Sequence, residues 1–213
     1  MSYDLCHIYV YLYGRNLQLL KLMEKHRCGW CVGDDLYEAY HDLEWGVPVK
    51  DDAILFEFLI LETFQAGLSW ITILRKRENF KKAFDNFDYR KIANYKQDKI
   101  DSLLQDAGII RNKLKVNSAV TNAKLFMEIQ EEFGSFSNYV WRFVDGKPIK
   151  NEVVNYKEVP ATTKESDALS KDLKKRGFKF VGSTVMYAHM QATGMVNDHE
   201  VGCFRYGEVG NNY

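Results

Sequence analysis

A lone carboxylate inside an apolar run restricts this chain more than any other feature. In residues 59–77, LILETFQAGLSWITILRKR, Glu62 is flanked by aliphatic and aromatic residues. Read as a helix, the stretch puts Leu55, Phe58, Leu59, Glu62 and Ala66 on one side, because positions three and four apart share a face. The acid therefore lies on the face that must be buried. A carboxylate buried without a partner is strongly destabilising or shifts its pKa upward, so a specific partner is expected. Two readings stand: a core acid paired with an arginine or a backbone amide, or a pocket acid that meets a cationic or hydrogen-bond-donating ligand. Trp70, further along, is spaced to form an aromatic wall of such a pocket.

The 213 residues are 46% hydrophobic and 14% aromatic, which suits one packed domain, or two small ones sharing a core, and excludes a disordered chain. Three prolines, at 48, 148 and 160, leave long stretches with helical period, and the chain reads as mainly α. Basic and acidic side chains balance at 29 each, so nucleic acid would be attracted only by local patches. Residues 107–127 hold Arg111, Lys113, Lys115 and Lys124 with no acid, and residues 171–179 hold Lys171, Lys174, Lys175, Arg176 and Lys179 against Asp172. Either patch also reads as a solvated helix face. The absence of an eighteen-residue apolar run argues against a membrane span. Cys6, Cys28, Cys31 and Cys203, with no secretory signal, fit a reducing, cytoplasmic setting in which clustered Cys and His more often bind metal than form disulfides.

Along the chain, residues 1–26 read as an N-terminal extension with a short amphipathic helix in NLQLLKLMEKH, and Met23 is a candidate natural start. DDLYEAYHDLEW reads as three helical turns capped by Asp34 or Asp35 and stopped near Gly46, carrying Tyr37, Tyr40 and His41 close together. Helices are expected at 51–66 and 69–86 with a break at Gly67, a polar helical region at 88–104, and a long amphipathic helix after Gly108. Another helix ends in the turn at Asp145, Gly146 and Pro148, and 149–164 reads as a loop. A helix, a hairpin between Gly177 and Gly182, a second helix and a polar tail complete the chain.

Two constellations carry chemistry. Cys28 and His41 near the beginning, with His199 and Cys203 near the end, would close a tetrahedral zinc site of the structural type, although Cys28 and Cys31 form a CxxC that offers another N-terminal pair. Glycines 177 and 182 allow a tight hairpin, and the N–H groups opening the following helix, with Ser183, Thr184 and nearby Lys179, suit a phosphate.

The segments RCGWC, YEAYHDLEWGVPV, LETFQAGLSWITILRKRENF, LLQDAGIIR, DALSKDLKKRGFKFVGSTVMYAHMQATGMVNDH and HEVGC closely resemble the bacterial 3-methyladenine DNA glycosylase I family of the helix-hairpin-helix superfamily, in unbroken order from about Arg27 to Cys203. The resemblance implies a helix-hairpin-helix glycosylase fold over residues 27–205, followed by a tail at 206–213, with a zinc site joining the N- and C-terminal segments. It implies one structural zinc ion on Cys28, His41, His199 and Cys203, with Cys31 a bystander. It places Glu62, Tyr40 and Trp70 in a base pocket, with Trp30, Trp45 and Tyr37 as further wall. Where many superfamily members carry a catalytic aspartate, this chain is read as having Asn197, with Asp198 beside it as a support for the metal site or a backbone cap.

The function expected on this basis is hydrolytic removal of 3-methyladenine from alkylated double-stranded DNA, leaving an abasic site and free base. Glu62, the expected catalytic residue, would recognise the cationic base and stabilise developing charge, Gly67 and Leu68 would fill the emptied stack, and Gln65 would meet the orphaned partner base. A monomer with no obligate protein partner is expected. Two other classes compete: a non-catalytic module that senses alkylation damage, and a zinc hydrolase or deaminase. The latter needs an open metal position, which a filled Cys and His set does not provide.

Overall fold

In the computed structural model, residues 25–209 are described. Met23 and all but the last two residues of the amphipathic helix expected at 16–26 lie outside them, as do Cys6 and residues 210–213.

Helix α1 (Asp35–Leu43) opens on the Asp34 side chain, which accepts the N–H of Tyr37. The central helix α2 (Asp52–Gln65) is capped by Asp51 and buries nine of its fourteen residues, Leu55, Phe56 and the run Phe58–Phe64. It is apolar almost all round, so it can only sit inside the molecule. The helix expected over 69–86 is interrupted at Arg75 and Lys76, giving α3 (Trp70–Leu74) and α4 (Arg77–Ala83). The break lets Arg77 reach Glu57 and Glu44, each at 2.6 Å. The polar region then supplies α5 (Tyr89–Ile92) and α6 (Gln97–Gln105).

The longest described helix, α7 (Lys113–Phe133), begins at an Asn112 cap and stops at Gly134, whose φ of 80° is left-handed. It packs on α2, α5, α6 and α8 (Phe136–Val140). Phe56, Phe126, Phe136 and Tyr139 are buried at this junction. The stretch expected to be a loop after residue 148 contains strand β1 (Ile149–Lys150) and a 3-10 turn at Tyr156–Glu158.

The hairpin forms as expected between α9 (Lys164–Arg176) and α10 (Ser183–Ala192). Thr163 and Ser166 cap each other at the start of α9, and Gly177 ends it with φ 103°. Within the hairpin Phe178 and Val181 point inward while Lys179 and Phe180 face out. Asn122 of α7 grips both backbone groups of Lys179, accepting its N–H at 2.9 Å and donating to its carbonyl at 3.0 Å. Strand β2 (Val196–Asn197) pairs in parallel with β1, and α11 (Phe204–Glu208) follows. The expected tail boundary after residue 205 thus falls inside a helix, and Val209 beyond it is buried. No described helix is long and apolar enough to cross a membrane.

Candidate active site and metal centre

The two ends of the described chain meet at four buried side chains. The donor atoms of Cys28, His41, His199 and Cys203 lie within 4.8 Å of one another. Individual separations are 3.5 Å from Cys28 Sγ to His199 Nδ1, 3.4 Å from Cys203 Sγ to His41 Nε2, 3.7 Å from Cys203 Sγ to His199 Nδ1, and 3.2 Å between the two ring nitrogens. A tetrahedron with metal–sulfur and metal–nitrogen bonds of the usual lengths has edges of roughly 3.3–3.8 Å. Four of the six separations, 3.2–3.7 Å, fall at or close to these edges, and the four donors would fill a four-coordinate ion's positions.

The surroundings orient this set. His41 turns its other nitrogen to Asp42 at 2.9 Å, and Arg27 forks onto Asp42 at 3.0 and 2.8 Å. His199 turns Nε2 to the carbonyl of Trp45 at 3.1 Å. Backbone N–H groups of Glu200 and Arg205 donate to the sulfurs of Cys28 and Cys203. Such partners fix which ring nitrogen faces the metal and stabilise thiolates. Cys31, buried next door, donates its thiol to the Cys28 carbonyl at 3.2 Å and lies outside the four-residue group.

Against this centre stands an aromatic pocket of about 240 Å³. The residues named from the sequence converge on it: Trp30, Tyr37, Tyr40, Trp45, Glu62, Gln65 and Trp70 all line it. Trp30 stands edge-on to Tyr37 at 4.9 Å and to Trp45 at 5.0 Å, and Tyr40 lies 5.5 Å from Trp70. Trp30 also touches the ring of His41, and Trp45 that of His199, so the metal centre backs the pocket wall.

Glu62 is 3% exposed, and its Oε2 is buried without a hydrogen-bond partner among the described residues. The arginine-paired core reading therefore fails, since Arg77 is spent on Glu44 and Glu57. Burial pushes the Glu62 carboxyl up to about 8. The indole N–H groups of Trp30 and Trp70 are likewise buried and unbonded. Burial, and after it the neighbouring Glu62, holds the Tyr40 phenol well above its ordinary range, leaving it a neutral donor.

Tyr156, Val159, Ala188, Gln191 and Asp198 complete the lining and were not singled out from the sequence as pocket residues. Asp198 is neither a backbone cap nor a support of the metal ligands. Its oxygens accept from Tyr187 at 2.6 Å, Gln191 at 2.7 Å and Asn151 at 2.6 Å. Asn197 is spent on structure, donating to the carbonyls of Tyr206 and Val209.

The remaining named residues stand around the pocket. Gly67, with φ 83°, follows α2, and Leu68 is 39% exposed beyond it. Gly182 starts α10 without a side-chain cap, so the N–H groups at Ser183 and Thr184 are available to an anion. Ser183 lies about 12 Å along that helix from Gln191 in the pocket wall. Neither basic patch is wholly free: Lys115 is buried, and Arg176 is paired with Glu132 and Asp172.

An aromatic slot around the buried acid Glu62, set beside a helix-hairpin-helix, defines the class of DNA glycosylases that act on a base turned out of the duplex. The methyladenine glycosylase family model matches residues 30–206, and the chain belongs to that family. It is 50% identical over 180 residues to DNA-3-methyladenine glycosylase 1 of Escherichia coli, covering 84% of this chain and 96% of that protein. Identity to DNA-3-methyladenine glycosylase of Haemophilus influenzae is 47% over 177 residues, covering 83% and 96%. A solved structure of a 3-methyladenine DNA glycosylase I variant in complex with 3-methyladenine superposes with a TM-score of 0.81 at 34% identity, covering 84% of this chain and 96% of that one.

Proposed function

We propose that this protein removes 3-methyladenine from alkylated double-stranded DNA by hydrolysing the N-glycosidic bond, releasing the free base and leaving an abasic site. The observation that carries this reading is Glu62, an acid held in an aromatic slot with its Oε2 unpartnered among the described residues. An N3-methylated adenine is cationic while attached to the sugar. In the empty pocket Glu62 is protonated near neutral pH, and entry of a cation lowers its pKa again, so the carboxylate forms against the positive base. Tyr40 and Trp70 add cation–π attraction, and Trp30, Trp45 and Tyr37 close the slot. Unmodified adenine brings no charge and leaves Glu62 protonated and poorly matched.

The cationic purine is already a good leaving group. The glycosidic electron pair returns to the base, the sugar carbon gains oxocarbenium character, and water adds there with loss of a proton. Among the described residues no lysine lines the pocket, which favours a monofunctional enzyme over one that forms a Schiff base. Cys28, His41, His199 and Cys203 would hold one zinc ion, whose contribution there is a cross-link between distant segments. Gly182, Ser183 and Thr184, with Lys179, offer donors to a backbone phosphate. Leu68 enters the gap left by the extruded base, with Gly67 as its hinge and Gln65 beside the orphaned partner.

Incubation with methylated duplex DNA, followed by chromatography of the released bases, tests this reading. Free 3-methyladenine is expected. A folded protein that binds the damaged duplex and releases none is a damage sensor rather than an enzyme.

A further inference from the structure

The C-terminal end of α2 is closed by a residue from elsewhere in the chain. Ala66 leaves the helix at φ −45° and ψ 114° rather than in a left-handed cap, and no basic residue stands in the last turn. The last carbonyls of a helix need donors. Here they come from α7: Lys115 Nζ donates to the carbonyl of Phe64 at 2.8 Å and to that of Ala66 at 2.6 Å. Lys115 stands in the first turn of α7, where a cation gains nothing from its own helix. It is 6% exposed and therefore unavailable to a phosphate. Its charge is instead delivered to the negative end of α2.

The two carbonyls it grips lie at the start of the turn that carries Leu68, Phe64 just before it and Ala66 within it. That turn is closed locally by Leu68 N–H to the Gln65 carbonyl at 2.6 Å and by the Gln65 amide to the Leu68 carbonyl at 3.1 Å. Those bonds fix the shape of the turn but not its direction. Gly67 gives the turn a left-handed φ of 83°, which other residues rarely adopt, and the space where a side chain would begin there is open. Glu62 lies one helical turn before Ala66, so the acid and the wedge leave the same helix end. The ammonium crossing from α7 holds that helix end.

We propose that Lys115 is a positioning residue for base extrusion, anchoring the Phe64 and Ala66 carbonyls and thereby setting the angle of the Leu68 wedge against the Glu62 pocket. The inference rests on the wedge reading of Leu68 given above. Small displacements of positioning elements cost on the order of tenfold to a hundredfold in rate, and the test looks for a loss of that size.

The experiment compares full-length wild type, Lys115→Met, Lys115→Arg, Leu68→Ala and the Lys115→Met, Leu68→Ala double variant. Each is scored for single-turnover release of 3-methyladenine from methylated duplex and for binding of free 3-methyladenine by tryptophan fluorescence. Lys115→Met should lose roughly tenfold or more in release while binding free base as wild type does. Lys115→Arg, which keeps a cation able to meet both carbonyls, should recover most of the rate. In the Leu68→Ala background the second substitution should add less than twofold, because both act through one element. Undiminished release in Lys115→Met overturns the inference, as does parallel loss of release and free-base binding, which would mark a packing role. Full additivity of the two substitutions also overturns it. Undiminished release in Leu68→Ala refutes the wedge itself, whereas a loss there with none in Lys115→Met refutes only the role of Lys115.

Discussion

The metal centre and the pocket share a wall and treat buried polar atoms in opposite ways. At the centre, both sulfurs and all four ring nitrogens have partners within 3.7 Å. In the pocket, Glu62 Oε2 and the indole nitrogens of Trp30 and Trp70 have none. A buried polar group without a partner costs roughly 1–3 kcal/mol. Stability is therefore concentrated on one side of the Trp30 and Trp45 wall and given up on the other. A base that supplies the missing partners recovers what the empty pocket lacks.

The strongest challenge to this contrast is removal of a metal-type ligand. Cys203→Ala should abolish metal binding and lower Tm by about 10 °C or more, as should chelation of the wild type. Metal analysis and thermal denaturation check both, and a zinc-free variant with unchanged Tm would contradict the structural role. Next in size, Glu62→Gln should lower excision by about a hundredfold without destabilising the fold. Above pH 4.5 the unfolded chain ionises this acid while the native pocket keeps it protonated, so wild-type stability falls as pH rises to about 8 and levels off beyond. The glutamine variant should lack that fall. Urea denaturation at pH 5 and pH 8 measures it, and identical pH dependence in the two proteins would mean that Glu62 has a partner.

His189 offers a smaller and more discriminating test. It is 1% exposed with neither ring nitrogen bonded among the described residues, yet it does not line the pocket. Burial pushes its pKa down to about 4, so the unfolded chain protonates first and stability is lost as pH falls from 6.5 to 4. His189→Met should stabilise by about 1–2 kcal/mol near neutrality and more at pH 5, with excision retained. A loss of excision would extend the pocket to this residue. The smallest effect belongs to Cys31→Ser, which should keep one zinc per chain and shift stability by under about 1 kcal/mol. Metal loss in that variant would move the N-terminal ligand pair to Cys28 and Cys31.

Much of this arrangement was legible before any coordinates. The helical spacing around Glu62 put an acid on a buried face, two glycines bounded a hairpin, and four Cys and His residues paired the chain ends. Side chains delivered by tertiary packing were not legible. Gln191 and Asp198 enter the pocket only because α10 packs on α2 and the segment after it returns to β1. Lys115 read as part of a basic patch, either for nucleic acid or as a solvated face, since nothing in its local pattern shows that two helix-end carbonyls lie within its reach. The partners of Arg77, Glu44 and Glu57, likewise lie well upstream, and no local pattern in 69–86 marks the break at Arg75 and Lys76 that lets it reach them.

The spacing of the four metal-type residues also bears on how the molecule is made. Cys28 and His41 leave the ribosome early, whereas His199 and Cys203 follow only after more than 150 further residues, as the separations of 171 and 162 across the centre require. Contacts between such distant positions form late, because the loop between them must close first. During synthesis the nascent chain therefore carries an unpaired thiol and imidazole, with Cys31 beside them, open to whatever soft metal or oxidant is at hand. Closing the centre is the step that ends this exposure, and because Trp30 and Trp45 rest on its histidines, the pocket wall is completed by the same late event.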